Sequence, residues 1–203
     1  MKLLIATTHP KKLKEFQELF QEFPVELLNL KDISGIREVE ETGKTFEENA
    51  RLKALGYAGQ TGFLTLAEDS GLCCEALEGA PGVYSARFAG ADKSDDENNR
   101  KLLRLLESVP VNRRGAYYKS VIALAEPHRM IGIAEGEVRG VIHHSLAGSG
   151  GFGYDPLFFY PPFQKTFGQV SQEMKHQVSH RGKAFEKIKK LLKDYLSAAK
   201  KSA

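Results

Sequence analysis

A short apolar run, Phe63-Leu64-Thr65-Leu66, follows Thr61-Gly62 and predicts a buried β-strand. Glu68 and Asp69 come directly after it, so we expect these carboxylates to lie where the strand ends. In open α/β sheets, ligands bind outside the carboxyl ends of strands, where acids can hold a metal or act on water. A helix cap built from Asp69 and Ser70 is the alternative reading of the same residues.

The size and charge of the chain limit the functions in which these acids can take part. Its 203 residues, 41% hydrophobic and 27% charged, can form a full core as one domain, or as one domain with two lobes. The net charge of +3 is mild, and much of the excess lies among lysines near the C-terminus, where a solvated helix face explains it. The charge therefore does not require nucleic-acid binding, and we expect none.

Two adjacent residues, Cys73 and Cys74, are the only cysteines. Neighbours in sequence rarely bridge each other, and two thiols build neither a disulfide framework nor a zinc quartet, so we expect a reducing compartment. The apolar run at residues 3–6 is too short for a signal peptide, and no run approaches the length of a membrane span. We expect a cytoplasmic protein that does not bind membranes.

Residues 3–6 predict a buried strand, and a helix follows it at once. Its apolar face is predicted to contain Leu13, Phe16, Leu19 and Phe20. Pro10 suits the first helical turn, and Thr8 or His9 would cap it. Backbone N–H groups and two lysines at such a helix start could bind a phosphate, although surface lysines beside a cap are the commoner situation.

Thr45 and Glu48 have the spacing of a capping box, which predicts a helix to about Ala58. Asn49 and Lys53 would share one face of this helix, where they could reach a ligand together or simply be solvated. An acid in the loop before the helix, Glu41, is expected to matter only if it has a partner acid. The candidate for that partner is Asp69.

The second half predicts mainly strands, with a helix at each end. Ser94 and Glu97 mark a capping box that opens a helix with a leucine stripe at Leu102, Leu103, Leu105 and Leu106. Residues 116–142 are rich in β-branched and aromatic side chains, and breaks near 126–128 and 135–136 predict three short antiparallel strands. Residues 156–160 predict a further strand, and an amphipathic helix follows Ser179.

Four of the six residues 148–153 are glycine, but they lead into a strand, whereas a phosphate cradle usually ends at a helix. The glycines instead would let the backbone approach a flat group on which Phe152 or Tyr154 stacks; a strained turn with core aromatics is the alternative. His180 and Arg181 offer donors suited to carbonyl oxygens of a base. A capped and solvated helix start explains those two residues nearly as well.

Six ordered blocks together resemble the inosine/xanthosine triphosphate pyrophosphatase family over about 180 residues. The blocks are residues 6–12, 40–50, 68–72, 81–88, 150–156 and 179–181. The resemblance implies an α/β fold with a long, twisted, mixed sheet running through two lobes, flanking helices, and an active-site cleft between the lobes. It also implies a single two-lobed nucleotide pyrophosphatase domain over residues 1–203, acting as a homodimer.

The activity implied by the resemblance is Mg²⁺-dependent hydrolysis of ITP, dITP or XTP to the monophosphate and pyrophosphate. Asp69 matches the catalytic base or metal ligand, and Glu41 matches a further Mg²⁺ ligand. Lys12 and Lys53 match the lysines that offset the charge of the departing pyrophosphate. Further substrate-binding positions are Thr7, Thr8, His9, Asn49, Ser70, Gly153 and Tyr154.

For the purine, the resemblance implies that Phe152 stacks on the ring and that Asp155 lies at the pocket wall. The donors to the 6-oxo group would be Lys175, His180 and Arg181. Donors alone at that edge favour hypoxanthine or xanthine over adenine, whose amino group would face other donors. Guanine also carries a 6-oxo group, so its rejection must arise around the 2-position.

The chain departs from the family pattern at two positions. His9 replaces the usual Asn of the first loop, and Glu68 replaces the first Asp of a common Asp-Asp pair, so Glu68 is expected to be a supporting or metal-side acid. Two other functions compete with the enzyme: a nucleotide-binding regulator with slow turnover, suggested by His9, and a phosphatase that removes only the terminal phosphate. The second lacks an Asp-x-Asp or Cys-x5-Arg nucleophile motif here.

Overall fold

The computed structural model describes residues 1–21, 23–90 and 94–201, with the backbone alone for 199–201. The helices are α1 (Pro10–Leu19), α2 (Phe46–Thr61), α3 (Asp95–Leu105), α4 (Gln172–Val178) and α5 (His180–Lys201). The strands are β1 (Lys2–Ala6), β2 (Glu26–Asn29), β3 (Leu64–Cys74), β4 (Gly115–Glu126), β5 (Arg129–Ile142), β6 (Phe158–Tyr160) and β7 (Lys165–Thr166). Within the described residues, no helix is long and apolar enough to cross a membrane.

The strands form one open, mixed sheet in the order β2-β1-β3-β4-β5-β6-β7. β1 pairs in parallel with β2 and β3, whereas β6 pairs antiparallel with β5 and β7. The predicted α/β fold with a mixed sheet and flanking helices is therefore confirmed. The cleft between lobes and the single-domain organisation stay predictions.

The chain divides into two compact units, each with its own apolar core. The first unit comprises Met1–Asp69, Ser120–Gly136 and Gly182–Ala203, and the second comprises Ser70–Lys119 and Glu137–Arg181. The first core includes Leu3, Phe16, Leu66, Ile122 and Phe185. The second includes Leu72, Leu102, Tyr118, Phe158 and Phe167.

Three predicted helix starts are confirmed, and one helix runs longer than expected. Pro10 occupies the first turn of α1, and Thr45 and Glu48 form a reciprocal capping box at the start of α2. α2 continues to Thr61 and ends at Gly62, whose left-handed φ of 73° suits a glycine. The serine that caps α3, Ser94, accepts a hydrogen bond from the Glu97 N–H.

The prediction of three strands between residues 116 and 142 is wrong, because β5 continues through the expected break at Glu135-Gly136. Buried Ala134, Gly136 and Val138 alternate there with more exposed charged residues, so the period-two pattern of a strand is never interrupted. The leucine stripe of α3 is only partly correct, because Leu105 is exposed while Leu102 is buried.

The C-terminal segment also differs from its prediction. Lys175 lies within a short separate helix, α4, that the sequence patterns did not predict, and Ser171 caps this helix by accepting from the Met174 N–H. The predicted strand at 156–160 is shorter, because β6 begins only at Phe158. The long amphipathic helix that follows is present as α5.

Candidate functional site

Glu68 and Asp69 lie inside β3, so the prediction that they end this strand is wrong. Its parallel neighbour β1 stops pairing at Ala6, opposite Ala67. The two acids therefore follow the carboxyl end of β1 rather than that of β3. Both are buried, and because they lie within a strand the alternative of a helix cap is wrong.

The loop after β1 positions Lys12 beside these acids. The Thr7 hydroxyl accepts from the His9 N–H at 3.2 Å, and Lys12 Nζ lies 3.3 Å from Glu68 Oε2. Of the two predicted caps, His9 occupies the N-cap position of α1, but the start of this helix has no side-chain capping hydrogen bond. Thr8 is exposed.

α2 carries Asn49 and Lys53 on one buried face, so the alternative of two solvated side chains is wrong. The Asn49 amide donates to Asp69 Oδ2 at 3.0 Å and accepts from the Gly43 N–H at 2.8 Å. Lys53 Nζ lies 3.0 Å from Glu41 Oε2 and 3.6 Å from Asp69 Oδ1. Glu41 and its candidate partner acid, Asp69, therefore both contact Lys53.

These contacts define the acid–lysine cluster of the first unit. Its members are Lys12, Glu41, Asn49, Lys53, Glu68 and Asp69. Burial raises the pKa of Asp69 above its usual range, while Lys53 and Lys12 act in the opposite direction. A buried carboxylate held among cations is the environment in which a general base is commonly found.

The donor chemistry of Glu41 and Asp69 fits Mg²⁺, which proteins commonly bind through one or two carboxylates together with water and substrate phosphates. Both carboxylates already bind one positive charge, that of Lys53, and therefore face a common position. The part of the chain that the structure describes has no group of three or more His, Cys, Asp or Glu able to hold a metal. A two-carboxylate site is what these residues support.

The glycine turn belongs to the second unit and folds around one carboxylate. Asp155 Oδ2 accepts from the Phe152 N–H at 2.8 Å and from Lys175 Nζ at 2.6 Å. Gly151 has a positive φ of 71°, and a Cβ there would clash with Asp155 Oδ2. A side chain at this position would therefore displace the carboxylate that organises the turn.

Two cations surround the half-buried Phe152 ring. Lys175 Nζ lies 4.9 Å and Arg181 Cζ lies 5.6 Å from its centroid. Arg181 also donates to the Ser70 hydroxyl at 3.2 Å. We call Phe152, Asp155, Lys175 and Arg181 the Phe152 cluster.

His180 directly precedes Arg181 in the sequence. Its ring stacks on that of Tyr118, with the ring centroids 4.7 Å apart and an angle of 10° between the planes. Tyr118 is itself buried against Phe158 and is a residue that the sequence patterns did not single out. Tyr154, expected to bind substrate, has its side chain in the second core, where its hydroxyl donates to the Ser85 carbonyl at 2.8 Å. The alternative of a core aromatic therefore describes Tyr154 well.

Three further polar residues that sequence reasoning missed hold members of the predicted site. Ser120 donates to Glu68 Oε1 at 2.7 Å within the first unit. In the second unit, Asp95 and Asn99 bind the backbone of Gly153. Each is a small polar residue within a strand or a helix. The signal that could have found them is their position in segments that otherwise predict buried elements.

The chain matches the Ham1 family over residues 3–191. A dITP/XTP pyrophosphatase of Desulforamulus reducens is 51% identical over 192 residues, which cover 95% of this chain and 96% of the relative. A protein of the same name from Listeria monocytogenes is 46% identical over 200 residues, covering 98% of this chain and 97% of the relative.

Solved structures of the same family match the fold. The Staphylococcus aureus Ham1 protein has a TM-score of 0.86 at 37% identity, covering 96% of this chain and 100% of that one. A HAM1 protein from Coxiella burnetii has a TM-score of 0.87 at 38% identity, covering 96% of this chain and 99% of that one. The resemblance carried by the six sequence blocks is confirmed: this chain belongs to the Ham1 family.

Proposed function

We propose that this chain hydrolyses ITP, dITP and XTP to the nucleoside monophosphate and pyrophosphate, removing deaminated purines from the nucleotide pool. Two similar relatives, at 51% and 46% identity, carry the name dITP/XTP pyrophosphatase. Membership of the Ham1 family over residues 3–191 supports the same activity.

The observation that carries the proposal is the setting of Asp69. One carboxylate oxygen accepts from Asn49, and the other lies 3.6 Å from Lys53 Nζ. The side chain is thereby held in one orientation, and the raised pKa that burial causes strengthens it as a base. In the proposed reaction, Asp69 takes the proton of the water that attacks the α-phosphorus.

Mg²⁺ dependence is part of the proposal, with Glu41 and Asp69 as the protein ligands. When bound, the ion offsets phosphate charge and assists the departure of pyrophosphate. Lys12 and Lys53 supply further positive charge to the leaving group. Both ammonium groups are already oriented by carboxylates, Lys12 by Glu68 and Lys53 by Glu41.

The Phe152 cluster is proposed to bind the purine. Phe152 would stack on the ring, and the cations of Lys175 and Arg181, together with His180, would present donors to the 6-oxo group. Adenine has an amino group at this position and would lose those hydrogen bonds. The family-derived expectations of a homodimer and of a cytoplasmic location, where Cys73 and Cys74 remain reduced, belong to the same proposal.

The experiment is product analysis with purified protein and ITP, with Mg²⁺ or with EDTA. We expect pyrophosphate and inosine monophosphate with Mg²⁺ and almost none with EDTA. Release of orthophosphate would favour the phosphatase, and binding of ITP without turnover would favour the regulator. Light scattering on the same preparation tests the dimer.

Asp69→Asn is the matched active-site variant, and Asp194→Asn, at an exposed position of α5, is its control. Loss of a general base typically lowers kcat by about 100-fold to 10,000-fold. We expect a loss of that size in Asp69→Asn and wild-type activity in Asp194→Asn. Equal activity of the two variants would remove Asp69 from the mechanism.

A further inference from the structure

Two side chains of α3 bind the same glycine. Asp95 Oδ2 accepts from the Gly153 N–H, and Asn99 Nδ2 donates to the Gly153 carbonyl, both at 2.9 Å. Asp95 and Asn99 are four positions apart, so they lie on one face of the helix. We call this pair the α3 clamp.

The clamp holds Gly153 from both sides, because Asp95 binds the peptide unit between Phe152 and Gly153 and Asn99 binds the unit that follows Gly153. Because a peptide unit is planar, the hydrogen bond from the Gly153 N–H to Asp95 fixes the unit that follows the Phe152 Cα. The unit that precedes this Cα is fixed by the hydrogen bond from the Phe152 N–H to Asp155. With both flanking units held, only the side-chain torsions of Phe152 remain to be set.

The burial of Asn99 is not fully explained by a contribution to the stability of the fold. Its side chain is 3% exposed, and within the described part of the chain its buried Oδ1 has no hydrogen-bond partner. Burying an amide with half of its hydrogen-bonding capacity unused costs free energy. Such groups often have a role other than stability.

In the adjacent asparagine of the same helix, both side-chain polar atoms have hydrogen-bond partners. Asn98, also 3% exposed, accepts from the Ala89 N–H and donates to the Ala86 carbonyl. It therefore holds a different loop, in the same unit, with the same chemistry. Asn98 and Asn99 therefore differ in the loop that they hold and in their side-chain oxygen, which, among the described residues, accepts a hydrogen bond in Asn98 but not in Asn99.

We propose that Asp95 and Asn99 are positioning residues that hold the Phe152 ring for stacking on the purine base. The inference rests on the proposed function, since it assigns the ring to base binding. The α3 clamp holds a turn of the second unit, whereas the proposed phosphate-binding lysines, Lys12 and Lys53, bind carboxylates within the first unit. Its loss is therefore expected to weaken recognition of the base and leave recognition of phosphate unchanged.

The primary test compares Asn99→Ala with Asn98→Ala. Calorimetric titration with inosine monophosphate and, separately, with pyrophosphate gives two dissociation constants for each variant. For Asn99→Ala we expect the constant for inosine monophosphate to rise about tenfold and that for pyrophosphate to change less than about twofold. The KM for ITP should rise similarly, with kcat nearly unchanged.

Asn98→Ala removes two hydrogen bonds of the same helix and should lower the melting temperature at least as much as Asn99→Ala. Its affinity for inosine monophosphate should nevertheless remain at the wild-type value. If the two variants lose the same affinity, or if neither does, the clamp has no positioning role and the inference is wrong.

Asp95 provides a second series should Asn99→Ala fail to fold. Asp95→Asn retains an oxygen that can accept from the Gly153 N–H and should keep near-normal affinity, whereas Asp95→Ala should lose it. Ser94→Ala removes the cap of α3 without touching Gly153 and controls for helix stability. Equal affinity of the Asp95→Asn and Asp95→Ala variants contradicts the inference.

The proposed function and the positioning role of the α3 clamp can be contradicted separately. If the wild type releases pyrophosphate from ITP but the clamp variants bind inosine monophosphate normally, only the positioning role is lost. If the wild type does not act on ITP, the proposed function fails and this inference fails with it.

Discussion

Lys12 and Glu68 form an ion pair whose two ends differ in exposure: the carboxylate side chain is 1% exposed and the lysine side chain 16%. Ser120 donates to the other carboxylate oxygen of Glu68. Glu68 was expected to replace the first Asp of the Asp-Asp pair. Its longer side chain contacts both Lys12 and Ser120. This contact with Lys12 is the one expected of a supporting acid.

The substitution Glu68→Gln keeps an acceptor for Ser120 and removes the charge that binds Lys12. Because the carboxylate is buried and the lysine only partly so, we expect the free energy of unfolding to fall by about 2 kcal/mol. Chemical denaturation measures it. Glu26→Gln, which breaks an exposed pair with Lys2, is the control and should change stability by less than about 0.5 kcal/mol. Equal effects of both substitutions would show that burial of Glu68 is unimportant.

Asp69→Asn should lose activity without losing stability. Burial raises the pKa of Asp69 above 3.8, so the folded chain binds the proton more tightly than the unfolded chain does. The contribution of this group to stability therefore declines as pH rises through the unfolded and then the folded pKa. Above that window, in EDTA, Asp69→Asn should melt at or above the wild-type temperature. A clear drop would mean that the ionised carboxylate stabilises the fold.

The buried pair of Lys175 and Asp155, at 2.6 Å, predicts strong coupling. Lys175→Met leaves a buried carboxylate without its ammonium partner and should destabilise the protein by about 3–5 kcal/mol. Adding Asp155→Asn removes that charge, keeps an acceptor for the Phe152 N–H, and should recover much of the loss. A double-mutant cycle from denaturation curves measures the coupling, and additive effects would contradict it.

The two cysteines should resist alkylation in the folded protein. Burial raises the pKa of Cys74 to about 12 and also raises that of Cys73. Thiols react as thiolates, so labelling at pH 8 should be at least about 100-fold slower in native protein than in guanidinium. Mass spectrometry after timed quenching measures the rate. Rapid labelling of native protein would mean that this part of β3 opens readily.

Local patterns predicted the elements whose signals are contiguous. Pro10 at the start of α1 and the box formed by Thr45 and Glu48 are examples, since their partners lie within one helical turn. The motif blocks likewise identified the acids and lysines that the fold of the first unit brings together.

The length of β3 could not be predicted, because the reason for it is not local. The run Glu68-Asp69-Ser70-Gly71 has the composition of a strand end, yet it remains in the strand. Hydrogen bonds offset the cost of burying these carboxylates: Glu68 accepts from Ser120, 52 positions away, and Asp69 accepts from Asn49, 20 positions away. The α3 clamp was missed for the same physical reason: Asp95 lies 58 positions from Gly153 in sequence.

The proposed activity of this chain is selective hydrolysis of deaminated purine nucleotides. The most direct measurement is kcat/KM for pyrophosphate release from ITP, XTP, GTP and ATP, offered separately to wild-type protein with Mg²⁺. We predict that ITP and XTP exceed ATP by at least about 100-fold, because adenine leaves donors of the Phe152 cluster and His180 unpaired, and that they also exceed GTP. Equal values for all four nucleotides would contradict the account.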